Sequence, residues 1–121
     1  MEYLLYFSKP KHKVWNKGLK PMSVYSKYYV SAKEEGRRGV GNLHPTMKPL
    51  RLIESKILIS STEVGNVFDG FGGSGSTLIA CENTGRTCFM MEHEPEYCDV
   101  IIHRWETLTG SKATKITSPD D

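Results

Sequence analysis

The stretch VGNVFDGFGGSGSTLIACENTGRTCFMME, residues 64–92, decides how this chain folds. Val64 to Asp69 (VGNVFD) reads as a short apolar strand, and Arg86 to Glu92 (RTCFMME) as a second. Between them Ser76 to Asn83 reads as a short helix that stops at Gly85, a residue suited to a left-handed cap. Strands connected through a helix pair in parallel, so this run is the core of an α/β unit.

The turn leaving the first strand is DGFGGSGST, residues 69–77. A tight strand-to-helix turn uses glycines for positive φ and for close approach of a ligand to the backbone. Taken literally, Gly70, Gly72 and Gly75 satisfy GxGxxG, a weak signal when it stands alone. Here the context agrees with it: a strand precedes, a helix follows, and Glu92 ends the next strand seventeen residues beyond Gly75. A carboxylate in that place can accept both hydroxyls of a ribose, so the turn points to an adenosyl-type cofactor. A phosphate-binding P-loop is excluded, because Ser76 and Thr77 follow Gly75 where a lysine is needed. A dinucleotide stays open, although Asp69 would face its pyrophosphate unfavourably. S-adenosylmethionine has no phosphate and carries an ammonium and a sulfonium, so charge favours it.

Outward from this core, Pro95 opens a helix with Glu94, Glu96 and Asp99 around its positive N-terminus. Tyr97, Val100, Ile101, Trp105 and Leu108 form its apolar face, and Gly110 ends it. Upstream, Lys48 to Ser60 is expected to be helical, with Pro49 in the first turn and Leu50, Ile53 and Ile57 on one face. Glu2 to Phe7 (EYLLYF) reads as a strand broken off before Pro10, and residues 8–45 as a long loop. One domain is expected over 1–121: strand and basic loop in 1–45, a cofactor-binding α/β unit in 46–110, and a polar tail in 111–121.

The net charge of +2 hides an uneven distribution. Seven lysines and no carboxylate lie between Lys9 and Lys33, interleaved with Trp15, Tyr25, Tyr28 and Tyr29. Lysines neutralise phosphates and aromatic faces stack on bases, so Lys11, Lys13, Lys17, Lys20 and Lys27 are candidate DNA contacts. The plain alternative is a solvated connector. Cys81, Cys88 and Cys98 have separations that fit no zinc pattern, and they read as reduced core thiols with no metal. No apolar run approaches the ~20 residues of a membrane span, and the first residues lack a signal-peptide pattern, so a cytoplasmic location is expected.

The segment HPTMKP, residues 44–49, stands about twenty residues before the glycine turn. With it the chain resembles the bacterial and phage DNA amino-methyltransferases of restriction-modification type, which modify adenine N6 or cytosine N4. HPTMKP is similar to their HPTxKP motif, FDGFGGSGST to their DPFxGSGTT donor loop, and MMEHEPEY to their strand-end acid followed by a helix. EYLLYFSK resembles the strand before the family's basic target-recognition region, so the likeness covers roughly residues 2 to 109. It implies a partial Rossmann-like S-adenosylmethionine-dependent methyltransferase fold, α/β, with a mostly parallel sheet and flanking helices. It also implies that Asp69, Phe71, Gly73, Ser74, Gly75 and Thr77 line the donor site, with Glu92 on the ribose. His44, Thr46 and Lys48 are then expected near the methionine end. In this register Gly73 and Gly75 carry the motif, Gly72 occupies a variable position, Gly70 replaces a proline, and Ser76 replaces a threonine.

Such enzymes also use a D/S/N-P-P-aromatic tetrapeptide that holds the target amine and stacks on a flipped base. No Pro-Pro dipeptide occurs in this sequence, so no catalytic residue is assigned and the chain is expected to be inactive alone. It looks like the C-terminal half of such an enzyme, beginning after the catalytic motif. In the family's sheet the catalytic strand lies beside the donor-loop strand, whose uncovered apolar edge must be shielded in a soluble protein. Self-association or a second polypeptide carrying the tetrapeptide is therefore expected, with double-stranded DNA as the other partner. The rival readings are a non-catalytic remnant that binds DNA or a partner protein, and a dinucleotide oxidoreductase piece, which leaves HPTMKP unexplained.

Overall fold

The computed structural model describes residues 48–117. The expected strand Glu2 to Phe7, the lysine-rich loop, His44 and Thr46 lie outside the described residues.

Helix α1 spans Leu50–Ser60. The proline does not sit inside its first turn, as expected, but at the N-cap, where its carbonyl accepts the amides of Leu52 (3.1 Å) and Ile53 (3.4 Å). A residue before proline is biased away from helical geometry, which leaves Lys48 outside the helix. At the far end the Ser61 hydroxyl and amide both donate to the Ile57 carbonyl.

Strand β1 covers Asn66–Asp69, two residues shorter than expected at its start. Val64 is 84% exposed, and the Gly65 amide closes a turn on the Thr62 carbonyl at 3.0 Å instead of continuing the strand. Helix α2, Ser76–Thr84, ends at Gly85 in the left-handed conformation (φ 73°), and the Arg86 amide reaches back to the Cys81 carbonyl at 2.9 Å. That closing pattern satisfies carbonyls the helix end would otherwise leave unpaired. Strand β2, Thr87–Met90, pairs with β1 in parallel, setting Asn66 against Thr87 and Asp69 against Met90. Helix α3, Pro95–Thr109, has Pro95 in its first turn and Gly110 at its end.

Alternation along the strands separates two unlike faces. Val67 and Cys88 point to one side, where Leu50, Ile53 and Ile57 of α1 and Ala80 and Cys81 of α2 complete a small core. Phe68 and Phe89, directly paired in register, point to the other and are 69% and 55% exposed. Among the described residues, then, helices cover one face of the sheet and leave the other bare. The three cysteines are free thiols, and burial first, with the neighbouring Cys88 second, pushes the Cys81 thiol up to about 12.

One expected core position is wrong. Leu108 is 47% exposed, and the buried positions of α3 are Val100, Ile101 and Arg104. The 111–121 segment starts as a polar tail tied back to α3, with the Lys112 ammonium and the Ala113 amide both donating to Glu106 at 2.9 Å. No described helix is long and apolar enough to cross a membrane.

Candidate functional site

Both strands point their carboxyl ends at the glycine turn, the place where parallel sheets bind ligands. Asp69 closes β1, and its Oδ1 accepts the Phe71 amide at 3.0 Å, so the acid first shapes its own turn. The Met91 amide donates to the Asp69 carbonyl (2.9 Å) and the Gly72 amide to the Met91 carbonyl (2.8 Å), stitching the turn to the end of β2.

The next three residues reverse the chain. Gly73 (φ 55°) and Gly75 (φ 80°) both occupy the left-handed region, where a side chain is strained. Gly75 is also crowded, since a Cβ there would lie 2.9 Å from Ile101 Cγ1. Gly70 has ordinary room and no positive φ, as expected for a position that tolerates another residue. Gly72 is tighter than a variable position should be: a Cβ would meet the Met90 sulfur at 2.7 Å.

Glu92 faces this reversal from the end of β2 with a side chain 8% exposed. Its Oε2 accepts the Gly73 amide at 2.6 Å, and its Oε1 accepts the amides of His93 (2.9 Å) and Glu94 (3.0 Å). The Glu94 amide first and the Gly73 amide second hold its carboxyl below the ordinary carboxylate range. Backbone donors stabilise the ionised form, which is why an enclosed acid stays charged here. His93 lies over the rim, 2.9 Å from Glu94 Oε1 and 3.3 Å from Glu92 Oε1.

Between these groups opens a cavity of about 510 Å³, lined by Gly70, Phe71, Gly73, Met91, Glu92, His93, Glu94 and Tyr97. That is the size range of a nucleoside-like ligand. Among the described residues two carboxylates and no lysine or arginine line it, a lining that disfavours phosphate and favours a cation.

Of the expected donor-site residues, Phe71, Gly73 and Glu92 line the cavity. Ser74 and Gly75 lie buried behind it, with the Ser74 hydroxyl 3.2 Å from that of Ser76, and Thr77 is half-buried in the first turn of α2. Lys48 is exposed just before α1. Sequence reasoning missed Met91, His93, Glu94 and Tyr97 as lining groups, and it missed Arg104, which donates from α3 to the Ser74 carbonyl. The run from Met91 to Tyr97 immediately follows the strand-end acid, and that adjacency was the available signal for the lining residues.

Comparison with known proteins places relatives around this geometry. Residues 1–103 match the family model described as DNA methylase, of N6/N4 type. The type II methyltransferase M.HpaI of Haemophilus parainfluenzae is 31% identical over 91 residues, 75% of this chain and 28% of its own. M2.DpnII of Streptococcus pneumoniae is 38% identical over 63 residues, 52% of this chain and 24% of its own. The crystal structure of the M1.HpyAVI–SAM complex is 39% identical, with a TM-score of 0.49, covering 51% of this chain and 32% of that one. The chain thus spans roughly a quarter to a third of the length of these relatives.

Proposed function

We propose, from the premise that this chain belongs to the N6/N4 DNA methylase family, that its glycine turn and Glu92 form the S-adenosylmethionine site of a DNA amino-methyltransferase. The observation that carries the reading is the composition of the cavity: Glu92 and Glu94 on the rim, no lysine or arginine among its described lining residues, and a backbone turn reversed through two left-handed glycines. A dinucleotide would bring two phosphates to a wall of carboxylates. A sulfonium and an ammonium meet the same wall favourably.

Glu92 would take the ribose hydroxyls with the lone pairs left beside its three backbone donors, or by exchanging the Gly73 amide. Asp69 keeps the turn in shape and adds negative charge near the methionine end. His44, Thr46 and Lys48 are assigned to that end, and Phe71 and Tyr97 supply apolar walls. Bound there, the cofactor supplies an electrophilic methyl group for direct in-line transfer to adenine N6 or cytosine N4. Lys11, Lys13, Lys17, Lys20 and Lys27 are assigned to the phosphates of double-stranded DNA.

The target amine has no holder in this sequence, which contains no Pro-Pro-aromatic motif. The chain alone should therefore bind the donor weakly at best and transfer nothing. The sheet face with Phe68 and Phe89, uncovered among the described residues, is consistent with self-association or with a second polypeptide that brings the missing motif.

Calorimetry with S-adenosylmethionine and, separately, NAD tests the reading. Saturable heat with the first alone supports it. Heat with NAD alone favours an oxidoreductase, and no heat with either favours a remnant that binds DNA or protein. Transfer of labelled methyl groups to duplex DNA by the purified chain would overturn the claim that it is inactive alone.

A further inference from the structure

Arg104 sits on the buried side of α3 beside Val100 and Ile101 and is only 7% exposed. A guanidinium in such a place is costly, and a well-packed apolar residue would be cheaper there. Its Nη1 donates to the Ser74 carbonyl at 2.5 Å and approaches the Ser76 hydroxyl at 3.4 Å. Ser74 lies between the two left-handed glycines of the turn, so its carbonyl orientation is set by the same reversal that presents the Gly73 amide to Glu92. Two side chains from outside the turn thus hold it: Glu92 from the cavity side through the Gly73 amide, and Arg104 from the core side through the Ser74 carbonyl.

These two holds are not equivalent. A ribose that claims Glu92 competes with the Gly73 amide, whereas Ser74, Ser76 and Arg104 are not among the residues that line the cavity. The geometry points to Arg104 as a positioning residue of the donor site, one that keeps the turn in its reversed shape when ligand takes over Glu92. It touches no ligand and acts through the Ser74 peptide. The inference deepens the proposed function and rests on it for the identity of the ligand.

A matched control exists in the same molecule. Arg86 makes a comparable set of bonds at the opposite end of the sheet, to the Thr84 carbonyl (2.5 Å), the Ser61 hydroxyl (3.1 Å) and the Ser61 carbonyl (3.2 Å). Loss of either arginine removes charge-assisted bonds to backbone carbonyls. Only loss of Arg104 should disturb the turn.

The test compares the intact chain with Arg104→Met, Arg104→Lys and Arg86→Met, each checked for folding by circular dichroism. Two quantities are read: S-adenosylmethionine affinity of the folded protein by calorimetry, and amide hydrogen exchange over residues 72–77. Arg104→Met should weaken affinity on the order of tenfold or more and speed exchange in the turn, Arg104→Lys should recover part of both, and Arg86→Met should change neither. If Arg104→Met fails to fold, the lysine variant decides by the same two readings. Unchanged affinity and exchange in the folded Arg104 variants, or an equal loss in Arg86→Met, overturns the inference. If the intact chain binds no S-adenosylmethionine, the proposed function fails, and exchange in the turn alone then decides whether Arg104 positions it.

Discussion

The two ends of the small parallel sheet are built from the same kinds of residue and do different things. At the amino end, a left-handed glycine (Gly85), a serine (Ser61) and an arginine (Arg86) tie α1, α2 and β2 together. At the carboxyl end, left-handed glycines (Gly73 and Gly75), serines (Ser74 and Ser76) and an arginine (Arg104) do similar tying. The difference is Glu92. It accepts the Gly73 amide and sets a carboxylate at the lip of a cavity, whereas at the amino end Arg86 donates to Ser61 and to the Thr84 carbonyl. A site here is therefore a closure with one acceptor placed to face outward.

Substitution at the glycines tests the comparison most strongly. Gly75→Ala combines a strained φ of 80° with a contact of 2.9 Å to Ile101. It should lower unfolding free energy by about 2–4 kcal/mol in a denaturant titration. Gly85→Ala has a similar φ of 73° but nothing nearer than the Glu63 carbonyl at 3.8 Å, and should lose only about 1–2 kcal/mol. Equal losses would mean that packing of Ile101 against the turn does not set the carboxyl end apart.

Acid sharpens the contrast more gently. The folded pKa of Glu92 lies below its ordinary value of 4.5, so its contribution is fully present above 4.5 and is lost as pH falls through the lower folded value. The Gly73 amide resonance should follow that loss with a midpoint below 4.5, while the Arg86 amide resonance stays still. A Gly73 midpoint at or above 4.5 would contradict the hydrogen-bond pattern assigned to Glu92. The smallest effect is expected at Gly70, where a Cβ finds ordinary contact with the Phe68 ring at 3.5 Å. Gly70→Ala should change stability by less than about 1 kcal/mol, in the stabilising direction, by restricting the unfolded chain.

Much of this arrangement could be read before the structure. The order of helices and strands, the parallel pairing and the closure at Gly85 follow from short apolar runs separated by glycine, which carry their meaning locally. Glu92 was legible because a strand-end acid after a glycine turn has one obvious use. Element starts were less so: Pro49 serves as a cap, and Val64 stays outside the sheet because Gly65 turns back on Thr62. Arg104 was illegible, since an arginine on an apolar stripe reads as solvated and its acceptor is a backbone carbonyl thirty residues away. Ser74 is expected in the donor site from the family register; it lies buried with its carbonyl on Arg104, and backbone orientation of that kind leaves no mark in residue identity.

The central claim is that the carboxyl end binds S-adenosylmethionine through Glu92, and one calorimetric titration addresses it most directly. The intact chain, Glu92→Ala and Arg86→Met are titrated with S-adenosylmethionine under the same conditions. Saturable heat in the intact chain, loss of at least tenfold in affinity for Glu92→Ala, and retention in folded Arg86→Met is the predicted result. Absence of heat in the intact chain, or affinity in folded Glu92→Ala equal to that of the intact chain, would contradict it.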